Sequence, residues 1–154
     1  MIYLIWAQDI NGGISKNNKL PWHIKSEMQH FVNTTKNKTV VMGRKTYDSI
    51  GHTLPNRKNL VLTYNNDLNL PGVTIYHDIS KLINDHINED LYVIGGKQIY
   101  EEFSKYADFY IVSYINNSYD CDIYMDKIDF SNFEIIKQDT TKPEFSIKWF
   151  KRKK

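Results

Sequence analysis

The sequence predicts an α/β fold: one domain built on a twisted, mostly parallel sheet with helices on both faces and an antiparallel C-terminal hairpin. Three observations carry that expectation. The opening run Ile2 to Ala7 is continuously apolar, the pattern of a strand buried on both faces. Further strand-like runs alternate with helical spacings, and two of them end in glycine just before a helical segment. Near the end, Phe133 to Lys137 and Phe145 to Phe150 alternate apolar and polar residues, as two paired strands would.

Size and charge narrow the options. At roughly 100–200 residues per domain, residues 1–154 make one domain. Apolar residues at 41% supply a real core and exclude a disordered chain. A net charge of +2 is too balanced to call for a polyanion. The basic cluster Lys148, Lys151, Arg152, Lys153 and Lys154 therefore reads as a solvated strand end that keeps a sheet edge soluble, with no nucleic-acid partner. Cys121 is the single cysteine, which excludes an internal disulfide or a cysteine-based zinc site and favours a reducing, cytoplasmic location. Met1 to Ala7 is too short and lacks the basic leader of a signal sequence, and no later run reaches membrane-spanning length, so no membrane is expected. Nothing demands an oligomer, and a monomer is expected.

Taken in order, Ile2 to Ala7 is a central strand, and Asp9 to Lys19, rich in Asn, Gly, Ser and Lys, is a long loop without periodicity. From Ile24, Met28, Phe31 and Val32 recur at helical spacing, with Ser26 and Gln29 as a capping box and Asn37 as a stop. Thr39 to Gly43 is a strand, and Arg44 to Ile50 a short helix closed by Gly51. Asn59 to Thr63 and Val73 to Tyr76 are strands; Ile79 to Ile87 is a helix with Leu82, Ile83 and Ile87 on one side. Leu91 to Ile94 is a strand punctuated by Gly95-Gly96, Ile99, Tyr100 and Phe103 mark a helix, and Phe109 to Ile115 is a strand.

Ligands of open parallel sheets bind where strand carboxyl ends meet helix N-termini. Met42-Gly43-Arg44-Lys45-Thr46 and Ile94-Gly95-Gly96-Lys97-Gln98 both fit that logic, and together they point to a ligand with several phosphates. Neither matches G-x-G-x-x-G or the Walker pattern. Glu27 lies at the margin of an apolar helix face, where it serves either the helix dipole or a site. Glu27-x-x-His30 has metal-site spacing but no second such pair, and Asp9-Ile-Asn-Gly-Gly begins like a calcium loop but puts Gly13 and Ile14 where an oxygen ligand and glycine belong; no metal is expected. His52, His77 and His86 stand alone, without a nucleophile motif.

As a set these residues resemble the dihydrofolate reductase family of the bacterial chromosomal type. The resemblance rests on Ile5-Trp6-Ala7, Leu20-Pro21-Trp22 followed by Glu27, Val41 to Ile50, Leu54-Pro55-Asn56-Arg57 and Val93-Ile94-Gly95-Gly96. It implies an oxidoreductase that reduces dihydrofolate to tetrahydrofolate with NADPH, in one-carbon metabolism, and that is a target of antifolates. Its implied catalytic set is Glu27, Trp22 and Ser113, with Glu27 binding the pterin and favouring its protonation through water, and Ser113 supporting Glu27. Ile5, Ala7, Leu20, Met28, Phe31, Ile50, Leu54, Ile94 and Tyr100 would line the substrate pocket, with Arg57 clamping the glutamate carboxylate. Arg44, Lys45, Thr46, Thr63 and Tyr64 would hold the adenosine and its phosphate, and Gly95, Gly96, Lys97, Gln98, Ile99 and Tyr100 the pyrophosphate and ribose. The implied cofactor set also takes in Ala7, Gly13, Ile14, Ser15, Lys19, Gly43, Leu62 and His77, the Gly12 to Lys19 loop closing over the nicotinamide. In the family Gly95-Gly96 is typically a cis peptide.

Some positions depart from the family pattern. Ser15 stands where glycine is common, Glu27 where many bacterial members have aspartate, Lys25 for a frequent proline, and Cys121-Asp122-Ile123 for a familiar Gly-Asp-Thr that latches the loop. Two other readings remain: a reductase of the same fold acting on another nitrogen heterocycle, against which Glu27 and Arg57 speak, and a non-catalytic nucleotide or nucleic-acid binder using the basic tail.

Overall fold

The computed structural model describes residues 1–65 and 70–154. Ten strands and four helices follow one another as β1 (Ile2–Gln8), β2 (Gly13–Ser15), α1 (Lys25–Thr35), β3 (Thr39–Gly43), α2 (Arg44–Ile50), β4 (Lys58–Leu62), β5 (Thr74–Tyr76), α3 (Ile79–Asp85), β6 (Leu91–Val93), α4 (Lys97–Phe103), β7 (Phe109–Ile115), β8 (Ile123–Tyr124), β9 (Phe133–Asp139) and β10 (Phe145–Arg152) among the described residues. Eight strands form one sheet in the order β5-β4-β3-β6-β1-β7-β10-β9, and β2 and β8 form a separate pair. Pairing is parallel from β5 through β7. The tail returns antiparallel along β7 as β10, and β9 pairs antiparallel outside it.

Strand alternation sorts side chains onto two faces. Leu4 and Trp6 of β1 join Val41, Leu60, Val93 and Val112 in one core, under Leu82 of α3 and Ile99 and Phe103 of α4. Ile5 and Ala7 join Val40, Met42, Val61 and Ile111 in the other, under Phe31 of α1 and Tyr47 and Ile50 of α2. Val40, Val41, Leu60, Val61 and Val93 have no exposure at all, and burying each such side chain contributes about 1.5–3 kcal/mol.

Helix ends follow local chemistry. Gly51 takes φ +85° and donates its N–H to Tyr47 O, an ending that favours glycine, while Asn37 takes φ +62° just past the end of α1. The expected capping box at Ser26 and Gln29 does not form: α1 begins one residue earlier, Ser26 lies inside its first turn, and Ile24 at the N-cap offers no side-chain acceptor. α3 stops at Asp85, so Ile87 lies beyond it and is exposed rather than on the helix's apolar side. The Asp9 to Lys19 loop is not wholly irregular, because Gly13–Ser15 pairs with β8, a contact its short, unpatterned sequence does not announce. The basic tail is not all solvated: Arg152 donates to Ala107 O at 2.8 Å and packs over the Phe133 ring. No helix among the described residues is long and apolar enough to cross a membrane.

Candidate active site

The carboxyl ends of β1, β3, β6 and β7 meet on one side of the sheet. Register sets Ala7 beside Ser113, on the face that α1 covers. From the first turn of α1, Glu27 reaches this junction and is only 6% exposed. Burial raises its pKa above the ordinary glutamate value, and a hydrogen bond from the Ser113 hydroxyl pulls it partly back. Its charge is felt at Tyr100, whose hydroxyl donates to Ile5 O at 2.7 Å and is pushed far above a normal phenol, first by burial and then by Glu27.

Around that carboxylate the apolar surface is graded. Ile5, Ala7 and Trp22 are buried and pack with half-buried Phe31, Ile50, Leu54 and Ile94. Leu20 and Met28 are exposed, so they stand at the rim rather than the floor. The Trp22 indole N–H is buried and has no acceptor, a cost of about 1–3 kcal/mol that a polar ligand or water would relieve. Arg57 is held from behind: Nε donates to Thr35 Oγ1 at 2.9 Å and Nη1 to Pro55 O at 2.8 Å. His30, one turn from Glu27, packs edge-on against Trp149.

The second half of the cleft is glycine-built. Gly43 N–H donates to Gly95 O at 2.9 Å, tying together the strand ends that lead into α2 and α4. Both helices open on glycine, Gly43 and Gly96, and neither N-cap supplies a side-chain acceptor to the first amides. A Cβ on Gly95, whose φ is +132°, would lie 3.3 Å from Thr46 Oγ1, and one on Gly96 would lie 3.5 Å from it. Gly95-Gly96 is a cis peptide. Unspent amides, close backbone approach and the nearby cations Arg44 and Lys45 fit a ligand carrying phosphates, such as a dinucleotide.

Other expected contacts are less direct. Leu62, Ile14 and Ile99 turn their side chains into the core, leaving main chain for any ligand. Arg44 Nε is engaged by both oxygens of Asp48, at 2.8 and 3.0 Å. Tyr64 donates to Glu102 at 2.6 Å, which with burial raises its pKa to about 12, and His77 Nδ1 contacts Thr63 O at 2.7 Å. Lys97 reaches Asp126 at 3.5 Å, while Gln98 is exposed. Asp48 and Glu102 are not among the expected site residues, although Arg44 and Asp48 stand four apart on a helix, a spacing that signals an ion pair.

A strap, residues 16–20, links the Asp122 segment to α2. Ser15 and Ile123 pair, the Asn17 N–H donates to Asp122 Oδ2 at 2.9 Å, and the Ser49 hydroxyl of α2 donates to Asn18 O. Asn18, Lys19, Lys45, Asp48 and Ser49 line an open recess of 220 Å³ beside this link. A larger recess of 280 Å³, between Gln8, Tyr114, Thr140 and Lys142, contains none of the cleft residues.

A family model described as dihydrofolate reductase matches residues 1–150. A dihydrofolate reductase of Ureaplasma parvum is 44% identical over 158 residues, covering 100% of this chain and 99% of its own. A Mycoplasma pneumoniae protein named segregation and condensation protein A is 37% identical over 156 residues; the match takes in 99% of this chain but 30% of that longer protein. Among solved structures, dihydrofolate reductase from Enterococcus faecalis complexed with NADP(H) and RAB-propyl is 28% identical, with a TM-score of 0.92 over 100% of this chain and 97% of its own.

Proposed function

We infer the roles of the cleft residues from one premise: the chain belongs to the dihydrofolate reductase family. It is an oxidoreductase that reduces dihydrofolate to tetrahydrofolate with NADPH. The observation that carries the assignment of roles is a carboxylate buried in an apolar cleft beside a glycine-built phosphate cradle.

Glu27 is the pterin-binding and proton-managing residue. In a site of low polarity a carboxylate forms a strong paired hydrogen bond to an amino group and its adjacent ring nitrogen. Its raised pKa brings it nearer working pH, where a proton-handling group is most effective. Ser113 steadies it, and the buried Trp22 N–H holds the water through which the ring nitrogen is protonated. Ile5, Ala7, Leu20, Met28, Phe31, Ile50, Leu54, Ile94 and Tyr100 enclose the substrate's flat rings. Arg57, braced on Thr35 and Pro55, presents its remaining N–H groups to the glutamate carboxylate.

NADPH supplies the hydride when bound. Gly43 and Gly95 to Tyr100 fit its pyrophosphate and ribose; Arg44, Lys45, Thr46, Leu62, Thr63, Tyr64 and His77 fit its adenosine end. Ala7 and the segment Gly13, Ile14, Ser15 to Lys19 cover the transfer and exclude water. Residues 1–154 act as one domain, since β1 pairs with β6 and β7, and β7 with the last strand, β10. The working protein is a cytoplasmic monomer whose partners are dihydrofolate and antifolates. Nucleic acid is not among them, as the anchoring of Arg152 supports. A structure with NADPH and a folate analogue tests these roles; a Glu27 carboxylate out of reach of the pterin would remove their foundation.

A further inference from the structure

The other buried acid of the described residues, Asp9, takes no part in that mechanism, yet it is 1% exposed and surrounded by donors. Its Oδ1 accepts the N–H groups of Asn11 at 2.9 Å and Gly13 at 2.8 Å. Its Oδ2 accepts the N–H of Tyr119 at 3.0 Å and faces Cys121 Sγ at 3.7 Å. Main-chain bonds repeat the link: Asp9 N–H donates to Gly13 O, Gly12 N–H to Asp9 O, and Ile10 N–H to Asn117 O. A Cβ on Gly13 would fall 2.5 Å from Cys121 Sγ and 3.1 Å from Asp9 Oδ1, so residues 9–13 and 117–121 are pressed together in one registration.

Both segments run on into the active site. Beyond Gly13 lies the strap, and beyond Cys121 lies Asp122, which holds the strap at Asn17. The Tyr119 ring packs edge-on against Trp22, with centroids 5.4 Å apart. We propose that Asp9 is a positioning residue of the reductase: by joining the bases of these two segments it fixes where the strap and Trp22 sit over the bound cofactor and substrate. The proposal rests on the reading that the cleft binds NADPH. Asp9 acts only through Asp122, Asn17 and Trp22 and touches no reacting atom.

A carboxylate with a merely structural role would set how stable the fold is; a positioning one also sets cofactor retention and alignment. Asp9→Asn keeps the shape but puts an amide donor against one pair of donors. Measured where circular dichroism shows the variant folded, the KM for NADPH should rise roughly tenfold and kcat fall roughly tenfold, with a smaller change in the KM for dihydrofolate. Wild-type values of all three constants in a folded variant would overturn the proposal. Should the variant not fold, the wild type provides the test. Cys121 is the single cysteine and is buried, so its alkylation by N-ethylmaleimide reports opening of this junction wherever it runs faster than global unfolding. Saturating NADPH should slow that reaction roughly tenfold or more, and an unchanged rate would overturn the coupling. Wild-type protein that fails to oxidise NADPH with dihydrofolate would count against the functional reading instead, while the alkylation result still bears on Asp9.

Discussion

Glu27 and Asp9 are both acids sealed from solvent at the carboxyl end of the sheet, and their pKa values move in opposite directions. Glu27 lies deep, faces apolar walls and has the Ser113 hydroxyl as its counterweight, so burial dominates and raises it. Asp9 lies under two loops; burial pushes it upward too, but the N–H groups of Tyr119, Gly13 and Asn11 together outweigh burial and hold it below the ordinary aspartate value. The number of donors aimed at the carboxylate decides, not burial as such. One acid is left underserved and available to a ligand, and the other is fully spent on the scaffold.

The largest effect should come from removing the underserved charge. Glu27→Gln keeps the volume but loses the proton and the charged pairing, and turnover at neutral pH should fall by about 10²–10⁴. Part of that loss should return in acid, where the substrate arrives already protonated. A near-wild-type pH–rate profile would mean that the apolar surroundings of Glu27 have no catalytic purpose, and the contrast with Asp9 would be one of packing only.

Next in size is the spent acid. In Asp9→Asn, one pair of donors, either Asn11 and Gly13 or Tyr119 and Cys121, meets an amide N–H, and each amide left unsatisfied in a buried place costs about 1–3 kcal/mol. Urea unfolding should show that loss, and a variant as stable as the wild type would show that water replaces the protein donors freely. A smaller loss is expected for Gly13→Ala, because its methyl collides with Cys121. Overpacking of this kind costs about 1–3 kcal/mol. Adding Cys121→Gly should recover much of it, since both of the closest atoms belong to that side chain. Additive losses in the double variant would place the strain elsewhere.

How much of this was legible depended on range. β3 and α2 appear at Thr39–Gly43 and Arg44–Ile50, the bounds their sequence predicts, because a change of period between two glycines is a local signal. Glu27 stood out as a polar residue beside an apolar helical stripe, and its burial follows from that stripe packing on β1 and β7. The sequence around Asp9 resembles only the start of a calcium loop, since its Tyr119 donor lies 110 residues away and main-chain N–H groups leave no trace in residue types. The β2 and β8 pair was hidden for the same reason: three residues against two have no periodicity to detect. The cleft could be read because its chemistry resides in side chains; its loop support could not, because much of that support is backbone.

The smallest effect separates the two acids most sharply, through the sign of their link to pH. Glu27 has a folded pKa above its unfolded one, so between the two values the folded chain keeps a proton that the unfolded chain has released. Stability from this group is present below the ordinary glutamate value and is lost as pH rises through the folded pKa. Glu27→Gln, with no proton to lose, should therefore be the more stable protein at neutral pH, with the gain vanishing in acid. Asp9 has the reverse order: its contribution is present above the ordinary aspartate value and is lost as pH falls through the depressed folded pKa. The handicap of Asp9→Asn should accordingly be greatest near neutrality and shrink in acid. Unfolding free energies of the two variants relative to wild type, taken across a pH series, should diverge in opposite directions. If both curves bend the same way, the N–H groups around Asp9 do not outweigh its burial, and the contrast between the two acids fails.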